Sequence, residues 1–317
     1  MMRIPLSRFG KWPEQAGWIV ALSFLLIVSE PVQSQSAPQS QDTSREIVAE
    51  DFTKNRPKSK QKNPAPQKQR VYRLASGQPI LTEKPASSKG QIGVTIWHLR
   101  VPKQVDTGAR LLLSGDERKE FVAQRATTDS PLQPGARVRL SIESARNGYL
   151  YVIDREIFSD GSKGPANLIF PRRNMRGGDN KVRPGQLIDI PGQSDDPNYF
   201  TASPSRRDQI GELISVLVTA KALDLEVGTV RSTIQASDLA EWERKWGGEV
   251  QKFEMVGGAG QQWTSEEKEA AAAASGRRLT QDEPPPQTVF RVPDGSNDGL
   301  LVSVTLRYLK PRPKRRR

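Results

Sequence analysis

Polar and apolar positions alternate with period two along most of the central chain, and β-branched residues fill the apolar ones, the pattern of half-buried strands. It predicts strands over Ile92–Val101, Ala136–Glu143, Gly148–Ile157, Asn167–Phe170, Gln186–Ile190, Glu212–Thr219, Glu249–Val256, Thr288–Val292 and Leu300–Leu309. Turn chemistry separates them. Arg146-Asn147-Gly148 joins the second to the third, Asp160-Gly161 ends the third, and a Gly/Asp/Ser run from Pro293 to Gly299 joins the last two. Three segments carry helical signals instead. Ser114–Ala126 has a possible cap and a charged first turn; Ser237–Trp246 has Ser237 at its start and Gly247-Gly248 as a stop; Thr264–Ser275 opens with Thr264 and Glu267 at capping-box spacing and runs through alanines. The reading is a mainly β chain, an antiparallel β-sandwich of immunoglobulin-like or related form with two or three short inserted surface helices.

The first 90 residues follow another rule. Arg3, Arg8 and Lys11 precede an apolar run from Trp18 to Val28, and Val32-Gln33-Ser34 offers small residues where a signal peptidase cuts. Residues 1–34 therefore read as a secretory signal, the run being well short of the roughly 20 apolar residues that span a bilayer. The mature chain is expected to start at Gln35, to be periplasmic or extracellular, and to keep no transmembrane span. Residues 35–90 are rich in Gln, Ser, Pro and Lys and read as a disordered basic tether, with Val71–Leu74 and Pro79–Leu81 as its only apolar patches. The expected domain is 91–309, followed by a disordered basic tail over 310–317.

Charge sharpens this division. The chain has 317 residues and a formal net charge of +12. Residues 35–90 hold eleven basic and five acidic side chains, the tail six basic and none acidic, and 91–309 hold 28 basic against 29 acidic. A neutral body with basic flanks argues against a specific nucleic-acid binder, which needs a basic face or an aromatic platform on the fold. The absence of cysteine removes disulfides, thiolate metal sites and cysteine nucleophiles.

Gly148-Tyr149-Leu150-Tyr151-Val152-Ile153, Asp160-Gly161, Leu168-Ile169-Phe170-Pro171, Pro184-Gly185 and Ile190-Pro191 resemble the bacterial domain-of-unknown-function family numbered 4384, over about 137–220. The resemblance implies a β-rich, non-catalytic module of exported or multidomain bacterial proteins and supplies no catalytic residues.

The candidates for chemistry are few. His98 is the only histidine and lies in a strand with no Gly-x-Ser-x-Gly in the chain, so a packing role is expected. Asp294, Ser296, Asp298 and Gly299 imitate the start of a calcium loop, but Thr305 stands where the bidentate Glu belongs, so a turn is expected and no metal. Asp154/Glu156 and Asp195/Asp196 leave carboxylate catalysis open, with solvated surface charge as the commoner outcome. Trp242 and Trp246 share a helix face suited to packing on a sheet or to stacking on a sugar. Arg172, Arg173 and Arg176 form a basic loop that could receive an anion, and Lys314, Arg315, Arg316 and Arg317 end the tail. No cofactor is expected. The leading expectation is an exported non-catalytic binding or interaction protein of the cell envelope, meeting a protein or envelope polymer and touching anionic surfaces weakly through its basic flanks. The alternative is a carboxylate-dependent envelope glycan hydrolase.

Overall fold

The computed structural model describes residues 52–59, 70–75, 90–104, 106, 110–112, 119–272, 276–293 and 296–309. Among them the chain is a β-sandwich of two antiparallel sheets, with strands numbered in chain order. The larger sheet runs β1 (Tyr72–Leu74), β13 (Gln251–Met255), β14 (Thr288–Arg291), β2 (Gln91–Arg100), β4 (Glu120–Ala126), β3 (Arg110–Leu112). To β2 it adds β5 (Arg137–Ser144), which carries β9 (Leu187–Ile190) and β10 (Phe200–Thr201). The smaller runs β12 (Ser232–Ile234), β7 (Ala166–Phe170), β6 (Gly148–Phe158), β11 (Gln209–Thr219), β15 (Gly299–Arg307), with β8 (Lys181–Val182) beside β6.

Alternation decides which layer each residue joins. Ile92, Val94 and Ile96 of β2 and Leu140 and Ile142 of β5 meet Leu150 and Val152 of β6, Val216 and Val218 of β11, and Val302 and Val304 of β15 in the core between the sheets. The intervening Tyr151, Ile153, Leu217 and Leu301 lie on the outer face of the smaller sheet, under Leu239, Trp242 and Trp246 of helix α1 (Ala236–Trp246). Burial on both faces explains why β6 and β11 read as nearly continuous apolar runs. It also assigns Trp242 and Trp246 to packing. Gly299 is the seat for Trp246: a Cβ there would lie 2.4 Å from the indole ring. The helix begins one residue before Ser237, and Gln235 at its cap gives no side-chain bond.

The outer face of the larger sheet is a layer of arginine and tryptophan. The Arg125 guanidinium lies 5.3 Å over Trp97 and that of Arg139 5.3 Å over Trp263. Buried Arg139 donates to Asp189 and to Pro191 O, and Trp97 Nε1 donates to Ser141 Oγ, which in turn donates to Asp189. Helix α2 (Ser265–Ala271) closes this layer. Its capping box forms as expected, yet the helix is not all surface: Glu267 is buried in an ion pair with Arg125, beside buried Ala270 and Ala271.

Two expectations are corrected. Residues 120–126 form β4, not the end of a helix over 114–126; residues 114–118 lie outside the described part. Phe121 and Ala123 join the outer apolar layer, while Val122 and Ala126 turn to the other, buried face, so pairing with β2 and β3 overrides the helical signal of the charged first turn. The second correction moves the domain boundary. Residues 52–59 and 70–75 were expected in a disordered tether, but Phe52, Arg56 and Tyr72 are buried and β1 pairs with β13. Composition averaged over 35–90 hides these anchors. The remaining residues of 1–90, the signal and the rest of the tether included, lie outside the described part, except Gly90.

Gly93 shows how the docking is built in. A Cβ on it would lie 2.5 Å from Pro286 Cγ and 2.8 Å from Phe52 Cζ, so a bare backbone in mid-strand is what lets both rings descend onto β2. Gly93→Ala is expected to cost about 1–3 kcal/mol by urea denaturation. Only part of that loss should disappear when Phe52 is also changed to Ala, because Pro286, the nearer clash partner, remains.

Candidate functional site

At one end of the sandwich the inner face of the smaller sheet stops being apolar. Leu150 and Val152 point inward from β6, and the same alternation carries Asp154 and Glu156 inward after them. On β11, Ile214, Val216 and Val218 lead back to Glu212, which lies opposite Glu156, and Ile214 lies opposite Asp154. Three carboxyl groups therefore converge on the mouth of the gap between the sheets.

The Asp154 side chain is only 13% exposed. It lies within hydrogen-bonding reach of Glu212, and burial together with the Glu212 charge pushes it up to about 7. Burial raises Glu212 as well, although Tyr308 Oη and Gln209 Nε2 each donate to its Oε1 at 2.7 Å. Asp154 Oδ1 and Glu212 Oε2 are buried and meet no donor from a neighbouring residue within the described part, which disfavours charge on both acids at once. Burial, then the bond to Glu212, raises the Tyr308 hydroxyl and keeps it a donor. Arg231 stands 3.9 Å from Asp154 Oδ2 and is half-exposed. Glu156 instead accepts from Ser205 Oγ.

Behind the pair lies a cavity of about 80 Å³, lined by Leu140, Phe200, Ile214 and Leu306 with Asp154, Glu212, Arg231 and Tyr308 at its polar end. A cavity that takes a six-membered ring is on the order of 150 Å³. The pair can hold, give and accept a proton beside a small apolar group, in a space smaller than a sugar ring needs.

The other candidates are scattered. Arg172 is half-buried, its Nε donates to Met175 Sδ, and burial and then the charge of Arg231 depress it. Arg173 is exposed, with its backbone N–H on Gly228 O. Arg176 takes φ 50° at the start of a 3₁₀ turn and buries an unpartnered Nε. Arg172 thus neighbours Arg231, which flanks the acid pair, whereas Arg176 lies near Asp189. His98 is half-buried in β2 and depressed by burial, with an unpartnered Nε2. Asp195 closes a turn by accepting from Gly192 N, and Asp196 is exposed. Ser296 and Asp298 close a turn of their own; Asp294 and residues 314–317 lie outside the described part. Asp154 corrects the expectation of solvated surface charge, because its place on the core face removes it from water.

Glu212, Tyr308, Gln209 and Arg231 were not expected in a site. For Glu212 and Tyr308 the signal was the same parity that marks Asp154, since Glu212 shares a face with Ile214, Val216 and Val218 and Tyr308 follows Val302, Val304 and Leu306; Gln209, at a register irregularity, and Arg231, outside the strands, carried no such signal. Comparison with family models, curated proteins and solved structures returned no match.

Proposed function

We propose that this chain is an exported, non-catalytic interaction protein of the cell envelope that adheres to anionic surfaces through two basic segments. The observation that carries the reading is where the charge sits relative to the corrected boundary. Residues 52–75 hold eight basic and no acidic side chains, and their two described ends are fastened to the body rather than trailing from it. Arg56 is neutralised by Glu143; Lys54 and Lys58 are exposed. With the six basic residues of 310–317, among them Lys314, Arg315, Arg316 and Arg317, this gives a cationic segment anchored at its described ends and a cationic tail on an otherwise neutral fold. Each Lys or Arg near an anionic leaflet contributes about 1 kcal/mol, reduced by salt. The N-terminal pattern of Arg3, Arg8 and Lys11 before the apolar run supports export, and the resemblance of the central block to family 4384 supports a non-catalytic role. The expected partner is an envelope protein or polymer, with no cofactor.

The test is co-sedimentation of the mature chain with phosphatidylglycerol vesicles at two salt concentrations. Binding should fall steeply with salt, and Arg172→Ala, Arg173→Ala and Arg176→Ala together should change it little. Loss of binding in that triple variant would put the site in the fold and defeat the reading.

A second reading, a carboxylate-dependent glycan hydrolase, is favoured by the raised Asp154 beside Glu212. The small cavity weighs against it. Asp154→Asn should leave vesicle binding unchanged; release of reducing ends from envelope glycan by the wild type, lost in this variant, would establish the hydrolase instead.

A further inference from the structure

We infer that the free edge of β15 is a docking site for an extended peptide strand of a partner protein, added to the smaller sheet. The directions of the backbone groups follow from three bonds. Leu132 N donates to Arg307 O and Leu309 N donates to Leu132 O, on the outer side, whereas Tyr308 N donates to Ile210 O on the β11 side. Alternation then points the N–H and C=O groups of Leu301, Ser303 and Thr305 outward, and they have no partner among the described residues. β15 is nine residues long. The terminal strands β1, β3 and β12 have three each. Natural edges are usually short, or guarded by proline, charge or a bulge; from Leu300 to Leu306 this one has none of these.

The space beside the edge suits one strand. A groove of about 420 Å³ runs along Ser303, Val304 and Thr305, and its far wall is Phe290 of β14 and Lys252 of β13. Lys252 is held by both oxygens of Asp129, which leaves Arg307 as the uncompensated cation of the lining. The complementary occupant is an extended, proline-free segment of about five residues, the length of the free edge between Leu301 and Thr305, with uncharged side chains and a carboxylate at the end that reaches Arg307. This goes beyond the anionic-surface reading and survives its failure, since it uses no basic segment.

The probe is the synthetic peptide acetyl-Glu-Thr-Val-Ser-Val-Thr-amide, added at millimolar concentration to the full mature chain and followed by residue-resolved amide hydrogen exchange. Without peptide, the amides of Leu301, Ser303 and Thr305 should exchange fast while those of Val302 and Val304 are protected; with it, the first three should slow by about tenfold or more. Ser303→Pro removes an outward N–H and leaves the β11 ladder whole, so it should abolish the slowing at unchanged Tm. If that variant fails to fold, the peptide N-methylated at its ladder positions must fail to protect the wild type. No slowing with peptide, or equal slowing by the N-methylated peptide, overturns the proposal. Protection that rises with protein concentration and needs no peptide would also overturn it, by assigning the edge to a second copy of the chain.

Discussion

Arg56→Ala should lower the unfolding free energy of the mature chain by about 3–5 kcal/mol, the cost of leaving one member of a buried ion pair uncompensated. Arg56 and Glu143 are 0% and 1% exposed. Nε and Nη2 of Arg56 each donate to a Glu143 oxygen at 2.7 Å, and the remaining hydrogens go to the carbonyls of Thr280, Glu283 and Pro284. One side chain from 52–59 thereby closes the segment that follows α2 over the larger sheet. A chain shortened to begin at Gly90 should be less stable still, because it also loses Phe52, Tyr72 and the β1–β13 ladder. Urea denaturation decides the matter, and a loss below about 1 kcal/mol for Arg56→Ala would show that the segment is not part of the folded unit.

Asp154→Asn should be more stable than wild type at pH 8 and close to it at pH 4. An ordinary Asp releases its proton near 3.8, whereas Asp154 in the fold holds its proton up to about 7. The contribution of that proton is complete below the unfolded value and is lost as pH rises through 7, since the unfolded state then ionises more readily. A difference of roughly three units corresponds to at most about 4 kcal/mol at pH 8. Glu212, Glu156, Arg231, Tyr308 and Gln209 are the groups that face or flank the pair. Asn supplies the N–H that protonated Asp154 offers to Glu212, so the variant fixes the protonated arrangement without the pH dependence. Parallel stability profiles for the two proteins between pH 4 and 8 would show that Asp154 does not hold its proton up to about 7.

The core of the sandwich was legible in the sequence because β2, β5, β14 and β15 alternate, β6 and β11 carry apolar runs of strand length, and the turns between them are rich in Gly, Asn and Asp. β4 was not, since the residues just before it carry local helical signals, and it is pairing with β2 and β3 that makes 120–126 a strand. The docked strap was hidden by composition: Phe52, Arg56 and Tyr72 are single residues in a polar stretch, and each fills a place formed by distant chain. Gly93 inside a strand was the readable hint of that approach. Parity along β6 put Asp154 on the core face in plain view, whereas its pairing with Glu212 depends on the β6–β11 register, which no local pattern specifies.

Affinity for anionic surfaces is proposed to reside in the strap and the tail. Its most direct measurement is vesicle co-sedimentation of a chain lacking 310–317 with Lys54, Lys58, Lys60, Lys62 and Lys68 changed to Gln, compared with the intact mature chain. Arg56 is retained, so the fold keeps its clasp and the melting temperature should stay within a few degrees. Binding should be lost at physiological salt, because eleven positive charges have been removed from the two segments that carry them. Binding equal to that of the intact chain would contradict it and place the affinity on the sandwich itself.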